Sequence, residues 1–147
     1  MDRIEYSDVV LDHFKNPRNV GKIEHPSGEG TVGNPVCGDM MEISILVEDG
    51  VISDIKFRTY GCASAIASTS MLTEMVKGMK LEEAEKVTWN RLLEGLKGLP
   101  KIKIHCSTLA IQGLKKALYD YYSNQGIERP DLWSGDDDME GTSCDHP

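Results

Sequence analysis

The segment "MMEISILVEDGVISDIKFRTYG", Met40 to Gly61, constrains the fold of this chain more than any other. Ile43, Ile45 and Val47 precede Asp49-Gly50, and Ile55 and Phe57 follow it, alternating on both sides of the pair. A period of two places each set on one face of an extended strand. Asp-Gly tolerates positive φ at both central positions of a two-residue turn. The segment therefore predicts a β-hairpin, and "TVGNPVC" before it supplies a third strand.

The remaining periodicity is helical. In "SDVVLDHFKNP", Ser7 caps a short helix, Val10, Leu11 and Phe14 share its apolar side, and Pro17 stops it. Gly, Pro and Asn content reads as a loop from Arg18 to Gly30. After Gly61, Ala65, Ile66, Thr69, Leu72 and Val76 fall on one helical face, and Gly78 closes the helix. "LEEAEKVTWNRLLEGLKG" predicts one or two short helices. "CSTLAIQGLKKALYDYYSNQG" predicts a longer one, with Ala110, Leu114, Ala117 and Tyr121 on one side and Gly126 as its stop. Helix, antiparallel sheet, then helices is the order of an α+β domain with helices packed on one face of about three strands.

At 147 residues the chain amounts to one domain. Its formal charge of −8 is unevenly placed: from Gly126 onward seven acids stand against Arg129, so residues 1–125 carry only −2. The expected division is a folded domain over 1–126 and an acidic, disordered tail over 127–147. Without a sustained basic stripe, nucleic acid is excluded as a partner. No apolar run is long enough to span a membrane and "MDRIEYSD" is not a secretory signal, so the expected compartment is the cytoplasm, where thiols stay reduced.

The chemistry concentrates at the cysteines. Cys37, Cys62, Cys106 and Cys144 are separated by 25, 44 and 38 positions, with no CxxC pair to suggest a zinc ribbon or a thioredoxin-like site. Cys37, in "GNPVCGD", sits on a bend between Pro35 and Gly38, unlike a packing cysteine in an apolar run. Cys62, in "YGCASA", and Cys106, in "KIHCST", stand where helices begin, and free N–H groups there favour thiolate. A lone cysteine of a reduced protein is more often packing than function. Three at element ends, with Asp39 and His105 within two residues of them, make coincidence the minority reading. Cys144 lies in the tail beside His146, where no structural role is expected.

Three thiolates with a carboxylate and an imidazole suit either a four-coordinate zinc site or an iron–sulfur cluster, and donor chemistry alone does not separate the two. A cysteine hydrolase is disfavoured. Adjacent His105 and Cys106 project differently from a helix start, and a single nucleophile needs no two further thiols.

"YSDVVLDHFKNPRNVG", "GNPVCGD", "YGCASAIASTSMLTEMVKG" and "KIKIHCSTLAIQGLKKAL" together resemble the U-type scaffolds of iron–sulfur cluster assembly, the IscU/NifU N-terminal domain family. The likeness runs from Tyr6 to Tyr122 in the same order. It implies a scaffold without turnover of its own. On it a [2Fe–2S] cluster forms from iron and from persulfide sulfur supplied by a cysteine desulfurase of the IscS/NifS type, then passes to acceptor apoproteins. It implies Cys37, Cys62 and Cys106 as thiolate ligands, with Asp39 or His105 completing the set. Cys106, beside Lys103, is the sulfur-acceptor candidate, since a helix start and a lysine both favour thiolate. The resemblance also admits zinc in the apo form and a homodimer around a cluster. Where bacterial members often carry "LPPVK", this chain has "LPKIK" (Leu99 to Lys103), and loss of the second proline weighs against a dedicated chaperone. A related branch, a zinc-bound sulfur acceptor and relay, carries an extra segment between its second and third cysteines. The 44-residue gap here leaves little room for it.

Overall fold

Asp49 and Gly50 both adopt positive φ, 54° and 74°, the backbone of a type I′ turn. In the computed structural model, which describes residues 7–34, 39–59, 63–97 and 104–133, that turn joins β2 (Asp39–Glu48) to β3 (Val51–Thr59). Strand β1 (Gly28–Asn34) pairs antiparallel with the other side of β2, giving the order β1-β2-β3. Helix α1 (Asp8–Lys15) precedes the sheet; α2 (Ala63–Val76), α3 (Leu81–Ala84), α4 (Trp89–Leu96) and α5 (Ile104–Asn124) follow it. The fold is α+β, as the periodicity predicts.

Ile43 lies opposite Phe57 and Ile45 opposite Ile55, and these four side chains with Met41 are buried beneath the helices. The pairing slips by one residue between Leu46 and Val47. This bulge lets Ile52 join the buried set although its parity differs from that of Ile55. On the outer face, Glu42 and Arg58 form an exposed ion pair at 2.7 Å, and Ser44 is buried where it accepts the Ile23 N–H.

Helix α5 crosses β1 and β2 at a distance that only glycine permits. A Cβ at Gly30 would stand 2.7 Å from Lys116 Cβ and 2.8 Å from the Ala117 nitrogen, and one at Gly28 would strike the Ala117 carbonyl. From the helix side, Gly113 rests on Ile43 and Met41. At this range α5 reaches over the exposed edge of β1 with side chains one turn apart. Asn124 donates to the Ser27 carbonyl, Asp120 accepts from the Glu29 N–H and Lys116 donates to the Thr31 carbonyl. The opposite edge, β3, is met by short backbone pairings: Gly21 and Asn19 with Phe57, Met79 and Gly78 with Ile52. Both edges are thereby closed to strand addition.

Several details depart from the pattern in the sequence. Ser7 caps α1 as expected, accepting from the Val10 N–H at 3.1 Å, but the buried residues of α1 are Val10 and His13, while Leu11 and Phe14 are exposed. A polar seam turns the helix: His13 Nδ1 lies 2.7 Å from Ser70 Oγ, which also accepts the Arg18 N–H. Helix α2 is buried well beyond its one apolar face, with Ser68, Ser70 and Thr73 inside as well, because α1, α4, α5 and β3 all pack against it. The loop read over 18–30 gives way to strand at Gly28. Helix α5 opens at Ile104, so Cys106 belongs to its first turn.

Packing also runs further along the chain than composition suggests. Gly126 (φ 80°) ends α5, and the Ile127 N–H turns back to the Tyr122 carbonyl at 2.8 Å. Arg129 then stacks 4.8 Å from the Tyr122 ring centroid and pairs with Glu85 at 2.7 Å and Asp131 at 2.8 Å. Leu132 is buried, and Trp133 carries the Lys116 ammonium 5.2 Å from its ring centroid. Residues 127–133 are thus part of the packed domain; 134–147 lie outside the described residues. Burial pushes the Glu85 carboxyl up, but hydrogen bonds from Arg129 and Tyr122 outweigh it and hold the group below its ordinary value. Burial and the bond to Glu85 push the Tyr122 hydroxyl up to about 12, so it remains a donor.

Two outcomes are expected. Gly30→Ala should lower stability by about 1–3 kcal/mol, since the clash is partly with backbone and α5 has to lift; equilibrium urea unfolding measures it. Truncation after Gly126 or Arg129→Ala should cost about 2 kcal/mol through the lost charge-assisted bonds, whereas truncation after Trp133 should leave the melting temperature of the apo chain unchanged. Because the folded Glu85 pKa is depressed, that contribution is complete above the unfolded value of about 4.5 and is lost as pH falls through the folded one. The Arg129→Ala penalty should therefore shrink on acidification below about pH 4.5.

Candidate metal centre

The contacts of α5 with β1 fix its direction. Asn124, Asp120 and Lys116 meet Ser27, Glu29 and Thr31 in turn, so the helix runs antiparallel to the strand and its N-terminal turn lies at the strand's C-terminal end. Asn34, the last residue of β1, pairs with Asp39, the first of β2. Thr59, the last of β3, lies opposite Met41, and its Oγ1 donates to the Met40 carbonyl at 2.6 Å. Helix α2 opens at Ala63, four positions later. Thus the end of β1, the start of β2, the end of β3 and the start of α5 share one end of the sheet.

Every candidate ligand falls in a segment that leaves or enters this end. Cys37 belongs to the link 35–38 between β1 and β2, and Cys62 to the link 60–62 between β3 and α2; both lie outside the described residues, as do Lys103 and Cys144. Asp39 is the first residue of β2, and His105 and Cys106 stand in the first turn of α5. Helix rise and strand rise set their level. Cys106 is about 15 Å along α5 from Lys116, while Asn34 is about 10 Å along β1 from Thr31, so the first turn of α5 overshoots the strand end by roughly 5 Å. That overshoot carries its backbone past the last residue of β1.

The charge pattern of the helix starts suits an anion. Helix α1 has Asp8 in its first turn and α3 has Glu82 and Glu83, but α2 and α5 have no acidic residue there. Their free N–H groups and positive dipole ends are therefore left without a local carboxylate. Among the described residues, no three His, Cys, Asp or Glu side chains come together as a metal-binding group. Also among them, no helix is long and apolar enough to cross a membrane.

The glycines of β1 are the signal that sequence reading missed. Gly28 and Gly30, two apart, mark a strand face stripped of side chains, and that face is where α5 lies.

Comparison with known proteins agrees with this architecture. The profile of the NifU-like N terminal domain matches residues 5–128. An iron–sulfur cluster assembly scaffold protein, IscU 1, of Archaeoglobus fulgidus is 60% identical over 121 residues, covering 82% of this chain and 79% of the relative. The scaffold protein IscU of Aquifex aeolicus is 48% identical over 143 residues, covering 92% of this chain and 91% of that protein. Among solved structures, a candidate cluster-assembly scaffold for the SUF system from Fervidobacterium islandicum superposes with a TM-score of 0.62. It is 26% identical, over 77% of this chain and 96% of that one.

Proposed function

The chain belongs to the family of NifU-like N-terminal domains, and on that premise we propose that it is a scaffold on which a [2Fe–2S] cluster is assembled and from which it is transferred to apoproteins. The observation that carries the reading is the shared end of the sheet, from which the segments bearing Cys37, Cys62 and Cys106 all depart. Three thiolates from three separate segments hold iron without a rigid cage, which suits cargo that has to leave. A cysteine desulfurase supplies sulfur as persulfide; Cys106, in the first turn of α5 with Lys103 three positions before it, is the acceptor. The dipole ends of α2 and α5 stabilise the negative charge of the growing cluster.

The fourth position is the exchangeable one. Iron of a cluster prefers soft sulfur, and a carboxylate oxygen is the harder and weaker match. Asp39 follows Gly38 at the mouth of the β1–β2 link, and it is assigned the role of a ligand that swings off to admit donor, solvent or acceptor, with His105 as the alternative occupant.

Anaerobic reconstitution with iron(II) and sulfide should give sulfide-to-iron charge-transfer bands and about one [2Fe–2S] cluster per chain or per pair of chains. Retention of stoichiometric zinc with no such bands would instead favour a zinc-bound sulfur relay. Asp39→Ala should slow transfer to an apo-ferredoxin about tenfold, the factor carried by ~1.4 kcal/mol of ligand preference. Faster transfer together with faster bleaching by a chelator would mean that Asp39 holds the cluster.

A further inference from the structure

Two thioethers converge on one point of the packing between α2 and α4. Met71 and Met75 are four positions apart on α2, one above the other on the same face. A Cβ at Gly95 of α4 would stand 3.5 Å from Met71 Sδ and 3.7 Å from Met75 Sδ. With only hydrogen at that position, the backbone of α4 rests on both sulfurs. Leu92 and Leu96, which flank Gly95 in sequence, are fully buried and anchor the helix. Met71 and Met75 are only half-buried, which leaves them within reach of small solutes.

Helix α4 has consequences beyond its eight residues. It packs against α1, α2 and α5. The Leu96 carbonyl accepts the hydroxyl of Ser7, whose oxygen in turn caps α1 by accepting the Val10 N–H. Helix α5 carries His105 and Cys106 in its first turn. A change at the two sulfurs therefore bears on three helices. Thioether sulfur is polarizable and packs as an apolar group, but a single added oxygen makes it a strong hydrogen-bond acceptor.

We propose that Met71 and Met75 form a peroxide-sensitive seam: oxidation of either thioether to the sulfoxide releases α4 from α2, and reduction restores the contact. A sulfur lone pair attacks one oxygen of hydrogen peroxide, so that an S–O bond forms as the O–O bond breaks. The sulfur gives up two electrons, and the second oxygen leaves with the remaining protons as water. A dithiol, through the methionine sulfoxide reductases, returns two electrons and two protons, and the oxygen departs as water. Held inside the seam, the sulfoxide oxygen faces a helix backbone whose interior N–H groups are already bonded. Turned to solvent, it draws the sulfur from under Gly95 and leaves a gap. Either course weakens the hold of α4 on α1 and α5. The seam acts on the fold and operates whether or not the cysteines bind iron.

The test uses the full apo chain, treated with hydrogen peroxide and then with dithiothreitol, which returns disulfides and sulfenic acids to thiols. Peptide mass should show one added oxygen at Met71 or Met75. The melting temperature should fall by about 5 °C, and amide exchange across α4 should quicken about tenfold while that of the β2–β3 hairpin stays unchanged. Methionine sulfoxide reductases A and B should restore both values. A double variant, Met71→Leu with Met75→Leu, keeps the volume of the seam without its sulfur. It should fold as the parent does and lose less than a fifth of the parent's shift on the same treatment, although the half-buried Met40 and Met79 remain in it. An equal loss in the double variant places the damage at the cysteines or at another methionine and overturns the seam. Sulfoxide at Met71 or Met75 with no change in melting or exchange also overturns it, as does oxidation that spares both residues.

Discussion

The approach of α5 to the bare face of β1 is the constraint on which the rest of the molecule depends. Gly28 and Gly30 let the helix backbone come within van der Waals range of the strand, and Gly113 lets it settle on Met41 and Ile43. Any side chain at those strand positions would hold the helix off, and the polar side chains of Asn124, Asp120 and Lys116 would no longer reach the outward backbone groups of β1. Close packing and edge protection are therefore one arrangement. The three polar contacts also set polarity: read in order, they allow only an antiparallel helix.

That polarity gives the candidate site its location. A helix lying the other way would put Cys106 and His105 at the hairpin-turn end, beside Asp49 and Gly50, roughly a strand length from the links that carry Cys37 and Cys62. As it is, the start of α5, whose first turn has no acidic residue, shares one end of the sheet with the end of β1, the start of β2 and the end of β3. The sheet with α2 and α5 supplies direction and dipole, and the candidate ligands Cys37 and Cys62 fall in sequence between its elements.

The C-terminal strap shows how far composition misleads when charge is counted without geometry. Residues 127–133 look like the start of an acidic tail, but Arg129 finds a half-buried carboxylate in Glu85 and an aromatic face in Tyr122, and Leu132 is buried. The partners come from the C-cap of α3 and from α5, more than 40 positions apart in the case of Arg129 and Glu85. Nothing within the local stretch announces them. The same applies to α1, where Leu11 and Phe14 give up the inner face to Val10 and His13 because Ser70, on another helix, offers His13 a hydrogen bond.

What the sequence determined by itself is local. The period of two around Asp49-Gly50 dictated the hairpin, the period of 3.6 dictated α2 and α5, Ser7 and Gly126 marked helix ends, and three of the four thiols fell in sequence at expected element boundaries, since periodicity and turn chemistry act over a few residues. The tertiary structure decided the quantities that depend on contacts between distant segments. It chose the direction of α5 across the sheet, the inner face of α1, the burial of the polar side of α2 and the return path of residues 127–133. Those choices come from which surfaces can approach closely and which buried polar groups find partners, and a one-dimensional pattern carries neither distance nor partner.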